Sequence, residues 1–205
     1  MVSEVLGTKG YAQVSDAFVK STRLLTFDTA NRDFSKFVPT NPCRVLDAGS
    51  GAGQNAAALA MKGHRVTAVE PLLEFRSACL SEYGDLGIEW INDAFPSLEK
   101  LGNTPAQFDF ILVDAVWHHL NETERAQSLT RLDFLLDEGG FCALSLRNGP
   151  AGVGTHLFPT DSALTAALAA QLGLEVLLHL VDQPSILPNK PDVKWTRLVF
   201  QKPKR

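Results

Sequence analysis

Two rhythms of apolar and polar positions alternate along this chain, and the changes fall at glycines and prolines. Arg44–Ala48 reads as a first strand and Gln54–Lys62 as a helix stopped by Gly63. His64–Glu70 reads as a second strand, Leu72–Tyr83 as a helix ending at Gly84, and Ile88–Ile91 as a third strand. Phe108–Asp114 contains the unbroken apolar stretch Phe110–Val113, the mark of a strand buried on both faces. Asn121 and Glu124 have the spacing of a capping box and predict a helix running to about Leu136. Asp137-Glu138-Gly139-Gly140 predicts a turn into a fifth strand, Phe141–Leu146. A Gly/Pro-rich loop at 147–160 and an alanine-rich helix, Ser162–Leu172, follow. Leu174–Leu180 and Trp195–Gln201 read as two last strands. Their connection holds Pro184, Pro188 and Pro191 and leaves no room for a helix, so this pair is expected to be antiparallel. The repeated strand–helix pattern predicts an α/β fold, with a mainly parallel sheet sandwiched between helices.

Residues 1–40 break the pattern. Tyr11, Phe18, Phe27, Phe34 and Phe37 recur at irregular spacing, and the segment ends at Pro39 and Pro42. One or two helices packed on the core at 43–205 are expected, serving as a lid or as a structural cap, within a single domain spanning 1–205.

Composition changes this picture little. The 205 residues are 45% hydrophobic and 20% charged, ordinary for a globular domain. The longest apolar run, Ala56–Met61, is far too short to span a bilayer, and the first residues lack the features of a signal peptide. A cytoplasmic protein without a membrane partner is expected. Cys43, Cys79 and Cys142 are distant and odd in number, as for reduced thiols. The net charge of −4 gives no electrostatic case for binding nucleic acid. No His/Cys/Asp/Glu cluster has metal-ligand spacing, so no metal is expected.

The chemistry concentrates at Val-Leu-Asp-Ala-Gly-Ser-Gly-Ala-Gly (45–53), a strand end, a glycine-rich turn and a helix start. Gly49 and Gly51 match the dinucleotide fingerprint, but its last glycine is replaced by Gln54. Asp47, just before the loop, is wrong for a pyrophosphate and suits a cofactor carrying positive charge and no phosphate. S-adenosylmethionine is such a molecule. Glu70 ends the second strand, where a carboxylate can accept both hydroxyls of a ribose. Asp93 follows the third strand and Asp114 ends the fourth. Four acids thus fall at the strand edge where ligands bind in open α/β sheets.

With these segments, Val-Thr-Ala-Val-Glu-Pro (66–71), Asn-Asp-Ala-Phe (92–95), residues 108–120 and Leu-Asp-Glu-Gly-Gly-Phe (136–141), the chain resembles the class I S-adenosylmethionine-dependent methyltransferases. The resemblance implies a Rossmann-like seven-stranded sheet of order 3-2-1-4-5-7-6, with the last strand antiparallel. It implies methyl transfer, with S-adenosylhomocysteine as product. It assigns Asp47, Gly49, Ser50, Gly51 and Gly53 to the methionine part of the cofactor. Glu70, with Pro71, goes to the ribose, Asp93 and Ala94 to the adenine, and Asp114 and Ala115 to the floor beneath the methyl.

The acceptor side is less marked. His118 and His119 follow the fourth strand on the ligand edge; either can serve as a base or be a buried, hydrogen-bonded residue. Trp117 either walls the pocket or belongs to the core. Tyr11, Arg23, Arg147 and His156 are further candidates. Arg147 opens the Gly-rich loop and can hold a carboxylate or phosphate, or salt-bridge a helix end. Asp-Ala-Val-Trp (114–117) replaces the Asn/Asp-Pro-Pro-aromatic motif of the family's amino-directed nucleic-acid enzymes. A small-molecule acceptor and a monomer or homodimer are therefore expected. A non-catalytic methyltransferase-like module and an NAD-linked oxidoreductase are the competing readings.

Overall fold

A computed structural model describes residues 5–204. Seven strands form one sheet: β1 (Arg44–Ala48), β2 (Arg65–Val69), β3 (Glu89–Ile91), β4 (Phe108–Val113), β5 (Leu136–Asn148), β6 (Glu175–Pro184) and β7 (Lys194–Gln201). Their order is β3-β2-β1-β4-β5-β7-β6, the order that the resemblance implied. β1 pairs in parallel with β2 and β4, β2 with β3, and β4 with β5. β7 runs antiparallel to both neighbours, β5 and β6. Helices α1 (Ser15–Thr22), α2 (Phe27–Ala30), α3 (Gln54–Met61), α4 (Leu73–Tyr83), α5 (Glu122–Leu135) and α6 (Ser162–Gln171) cover it.

The unbroken apolar stretch of β4 does what its composition demands, because successive side chains point to opposite faces. Ile111 and Val113 pack with Leu129, Leu132 and Leu135 of α5. Phe110 and Leu112 pack with Ala56, Ala57 and Leu59 of α3, and with Phe27 and Phe34. The alanines let α3 approach β1 closely beside the glycine loop. A third cluster joins Val19 of α1, Ala52 of the loop and Phe75 of α4.

The capping box forms as the spacing requires. Asn121 Oδ1 accepts from Glu124 N at 3.0 Å, and Glu124 Oε2 accepts from Asn121 N at 2.8 Å. Two boundaries differ from expectation. The predicted turn at 137–140 lies inside β5: Gly139 takes φ +79°, its N–H reaches Lys202 O at 2.7 Å, and pairing continues past an irregularity opposite Phe108–Phe110. A left-handed glycine absorbs the distortion without ending the strand. β6 likewise runs on to Pro184 through register shifts opposite β7. Among the described residues no helix is long and apolar enough to cross a membrane.

Candidate functional site

The glycine loop turns because three of its residues adopt left-handed backbone: Gly49 at φ +83°, Gly51 at +53° and Gly53 at +78°. Gly49 and Gly53 also lack room for a side chain. A Cβ on Gly49 would stand 2.3 Å from Val116 Cγ2, and one on Gly53 2.7 Å from Cys79 Sγ. A Cβ on Gly51 would meet nothing within 4 Å, so there the backbone itself faces open space. Val69 O accepts from Gly49 N and Ser50 N and clamps the loop to the end of β2.

Glu70 holds the same loop from the other side. Its Oε2 accepts from Gly51 N at 2.9 Å and its Oε1 from Leu72 N at 2.8 Å. Burial pushes its carboxyl up to about 7, against the pull of those two N–H groups. Asp93 accepts from Ala94 N and Lys100 N, fixing the turn after β3. Asp114 is a hub. Ser145 Oγ donates to it at 2.5 Å, Asn55 Nδ2 at 3.3 Å and Arg197 Nη1 at 3.4 Å.

These groups share a cavity of about 860 Å³, lined at this end by Gly49, Ser50, Gly51, Glu70, Pro71, Asp93, Ala94, Asp114 and Ala115. Two residues assigned to the cofactor do not line it. Gly53 is filled in by Cys79 and Trp90. Asp47 is buried behind the loop, on the side of α3. Its Oδ2 has no hydrogen-bond partner, and burial, with the nearby Asp114 and Glu70, pushes its carboxyl up to about 8.

The other end of the cavity is built by the N-terminal segment, the turn after β4 and the loop after β5. Arg125 of α5 holds this turn, donating to the carbonyls of Trp117, Phe158 and Pro159. Trp117 is fully buried and its Nε1 donates to Thr165 Oγ1, so it is a core residue and not a pocket wall. His118 lines the cavity although only 5% exposed. Burial, then the neighbouring His119, Arg147 and Arg125, push it down to about 2, so its ring is neutral, and its Nδ1 has no partner.

His119 stands between two partners. Its Nδ1 lies 2.9 Å from His156 O, and its Nε2 lies 3.2 Å from Tyr11 Oη. A carbonyl only accepts, so Nδ1 carries the proton and Nε2 accepts from the Tyr11 hydroxyl. Burial lowers the His119 pKa and raises that of Tyr11, which keeps both neutral. Gly154 leaves the space for this contact: a Cβ there would come within 2.8 Å of His119 Cε1 and Tyr11 Cε2. The ring of His156 packs on Phe158, and its backbone carbonyl does the positioning. Arg23 is elsewhere, bonded to Glu82 and Ala78 O on α4. Among the described residues no group of three or more His, Cys, Asp or Glu side chains is placed to hold a metal ion.

Sequence reasoning missed Asn55, Ser145, Gly154, Trp195 and Arg197. Two signals were available: Ser145 is the one polar residue inside the run Phe141–Leu146, and Arg197 the one charge between Trp195 and Phe200.

A parallel sheet with a glycine loop and acids at its strand ends defines a binder of a nucleoside-type cofactor. Residues 46–144 match the family described as a methyltransferase domain. A protein of Mycobacterium tuberculosis described as an uncharacterized methyltransferase is 35% identical over 118 residues, which are 55% of this chain and 57% of that one. The chain thus spans little more than half the length of the curated relatives it matches. Among solved structures, a 1,6-didemethyltoxoflavin-N1-methyltransferase of Burkholderia thailandensis, with bound 1,6-didemethyltoxoflavin and S-adenosylhomocysteine, is similar with a TM-score of 0.62. It is 19% identical, covering 100% of this chain and 94% of that one. Phosphoethanolamine N-methyltransferase 2 of Haemonchus contortus has a TM-score of 0.74 at 14% identity, over 99% of this chain and 61% of that one. Over residues 46–144 the chain is thus similar to a methyltransferase domain, and it shares its fold with S-adenosylmethionine-dependent methyltransferases. The residues present fit that cofactor: Gly51 presents open backbone, and Glu70 faces the cavity at the end of β2.

Proposed function

We propose that this chain is a methyltransferase that transfers a methyl group from S-adenosylmethionine to a small-molecule acceptor. The observation that carries the reading is the single continuous cavity, with cofactor-type carboxylates at one end and the Tyr11–His119 pair at the other. Its volume falls within the range of enclosed small-molecule sites. The similarity to a methyltransferase holding a bound small acceptor supports the same class of substrate. A cytoplasmic, single-domain protein accords with this reading, with positions within residues 5–33 lining the cavity.

When bound, S-adenosylmethionine supplies a methyl group on a sulfonium, the electrophile of an in-line displacement. Glu70 would accept the ribose hydroxyls, and the backbone at Gly49–Gly51 would receive the methionine part. Asp93 and Ala94 would lie toward the adenine, and Asp114 and Ala115 would form the floor. The protein then has to align the acceptor and exclude water. For an acceptor that bears a proton, Tyr11 Oη takes that proton while its own passes to His119 Nε2. The His156 carbonyl stabilises the resulting imidazolium through Nδ1–H. His118, held neutral, lines this end as a polar wall.

The test is release of S-adenosylhomocysteine from S-adenosylmethionine across a set of small hydroxyl- and amino-bearing acceptors. Turnover is expected with some of them. Tyr11→Phe, which removes only the hydroxyl, is expected to lower kcat by about 100-fold and leave S-adenosylhomocysteine affinity unchanged. Cofactor binding without turnover of any acceptor would favour the non-catalytic module instead.

A further inference from the structure

The polar balance of the cavity wall is uneven. Each carboxylate on it has partners: Glu70 and Asp93 hold backbone N–H groups, Asp114 meets Arg197, Asp33 meets Arg32, and Glu124 caps α5. Arg32 and Arg197 are accounted for by the same pairs. Among the described residues neither Arg147 nor Lys190, the other cations of this wall, meets a carboxylate. The one partner of the Arg147 guanidinium among the described residues is the carbonyl of Pro150, three residues on, which leaves most of a five-donor fork unspent. Next to it, His118 is 5% exposed and lines the same wall, its buried Nδ1 without a partner among the described residues. The His118 ring stands edge-on to Trp195 at 6.4 Å, and Trp195 is the register partner of Arg147 across β5 and β7.

This patch is rigidly mounted. Arg147 sits in the β5–β7 ladder. The following residue, Asn148, clamps Thr160 with its side chain, its Oδ1 accepting from Thr160 N at 2.8 Å and its Nδ2 donating to Thr160 O at 3.1 Å. One residue further, Gly149 passes so close to Asp192 O that a Cβ would stand 2.5 Å from it. A rigidly mounted, half-buried guanidinium on the cavity wall, without a carboxylate partner among the described residues, is placed to hold an anion from outside the chain.

We propose that Arg147, with the His118 ring beside it and Trp195 as the apolar wall, binds an oxyanion group of the acceptor, so that the substrate is an acidic small molecule. This rests on the cofactor reading of the other end of the cavity. The group is a carboxylate or a phosphate. A planar carboxylate matches the guanidinium fork with two parallel hydrogen bonds, and a phosphate presents the same pair of oxygens.

The experiment uses protein saturated with S-adenosylhomocysteine and two matched pairs of probes, benzoate against benzamide and phenyl phosphate against phenol, with affinities measured by ligand-observed NMR. At least one anion is expected to bind tenfold or more tightly than its neutral partner, and the winning pair names the source of the oxyanion. Arg147→Gln is expected to abolish the preference with S-adenosylhomocysteine affinity unchanged; Arg147→Lys is expected to retain part of it. Equal binding within both pairs, or a preference that survives in Arg147→Gln, overturns the proposal. Failure of the unaltered protein to bind S-adenosylhomocysteine overturns the cofactor reading instead.

Discussion

Replacing Glu70 by Gln tests the cofactor end of the cavity by two independent measurements. The substitution keeps the shape and removes the charge. One of the two backbone donors now held by the carboxylate, Gly51 N or Leu72 N, then faces an amide NH₂, because an amide has a single acceptor oxygen. A buried donor left unpaired costs about 1–3 kcal/mol. In the opposite direction, the native carboxyl is raised from 4.5 to about 7 by burial. The folded chain therefore holds a proton that the unfolded chain has lost between these values, and apoprotein stability falls as pH rises through that window. The shift corresponds to roughly 3 kcal/mol by pH 8, which Gln recovers. The apoprotein variant should thus be less stable than the native chain at pH 5, close to it at pH 8, and flatter in between.

Cofactor affinity should behave differently. Hydrogen bonds from ribose hydroxyls to an ionised acceptor contribute about 1.5–3 kcal/mol, so Glu70→Gln should weaken S-adenosylhomocysteine by about 10- to 100-fold at pH 8. The native affinity should fall as pH drops below about 7 and the carboxyl takes up its proton. Calorimetric titration from pH 5.5 to 8, with thermal melts of the apoprotein, reads both quantities. An affinity within twofold of native in the variant, or a native affinity independent of pH over this range, would refute the assignment of Glu70 to the cofactor.

Two further substitutions separate the acceptor end from the core. Gly154→Ala places a Cβ 2.8 Å from both His119 Cε1 and Tyr11 Cε2 and should part the pair. A fall in kcat of about tenfold or more is expected, with unchanged S-adenosylhomocysteine affinity; an unaltered kcat would show that the contact is not used. Phe110→Ala empties a fully buried position between β4 and α3 and should cost about 3–5 kcal/mol in urea unfolding. A loss below about 1 kcal/mol would mean that this side of the sheet is not packed as described.

The sheet was legible because its physics is local. Phe110–Val113 carries its own two-sided burial, and Asn121 with Glu124 writes the start of α5 into four residues. The turn expected at 137–140 was not legible, because Gly139 permits either a turn or a bulge and pairing with Lys202 decides between them. That Gly49, Ser50, Gly51, Glu70, Asp93 and Asp114 share one cavity could be read, because they follow strands at fixed offsets. Asp47 has the right spacing, yet it sits behind the loop, since strand alternation directs its side chain toward α3. The acceptor end brings Tyr11, His119, Gly154 and Trp195 together from distant parts of the chain, and no spacing rule links them.

The antiparallel course of β7 has a consequence for how the two ends of the cavity are encoded. Parallel strands deliver their last residues to the ligand edge, whereas β7 delivers its first, Lys194 to Arg197, directly after the proline-rich loop. On the proposed reading the cofactor end is drawn almost wholly from residues 49–115, and the acceptor end from the N-terminal segment, the turn at 117–119 and residues 147–197. Among the described residues that line the cavity, Arg197 on Asp114 is the one direct ion pair that joins them. On the proposed reading, substrate preference can be rewritten in the loop after β5 and the loop before β7 without disturbing the grip on the methyl donor.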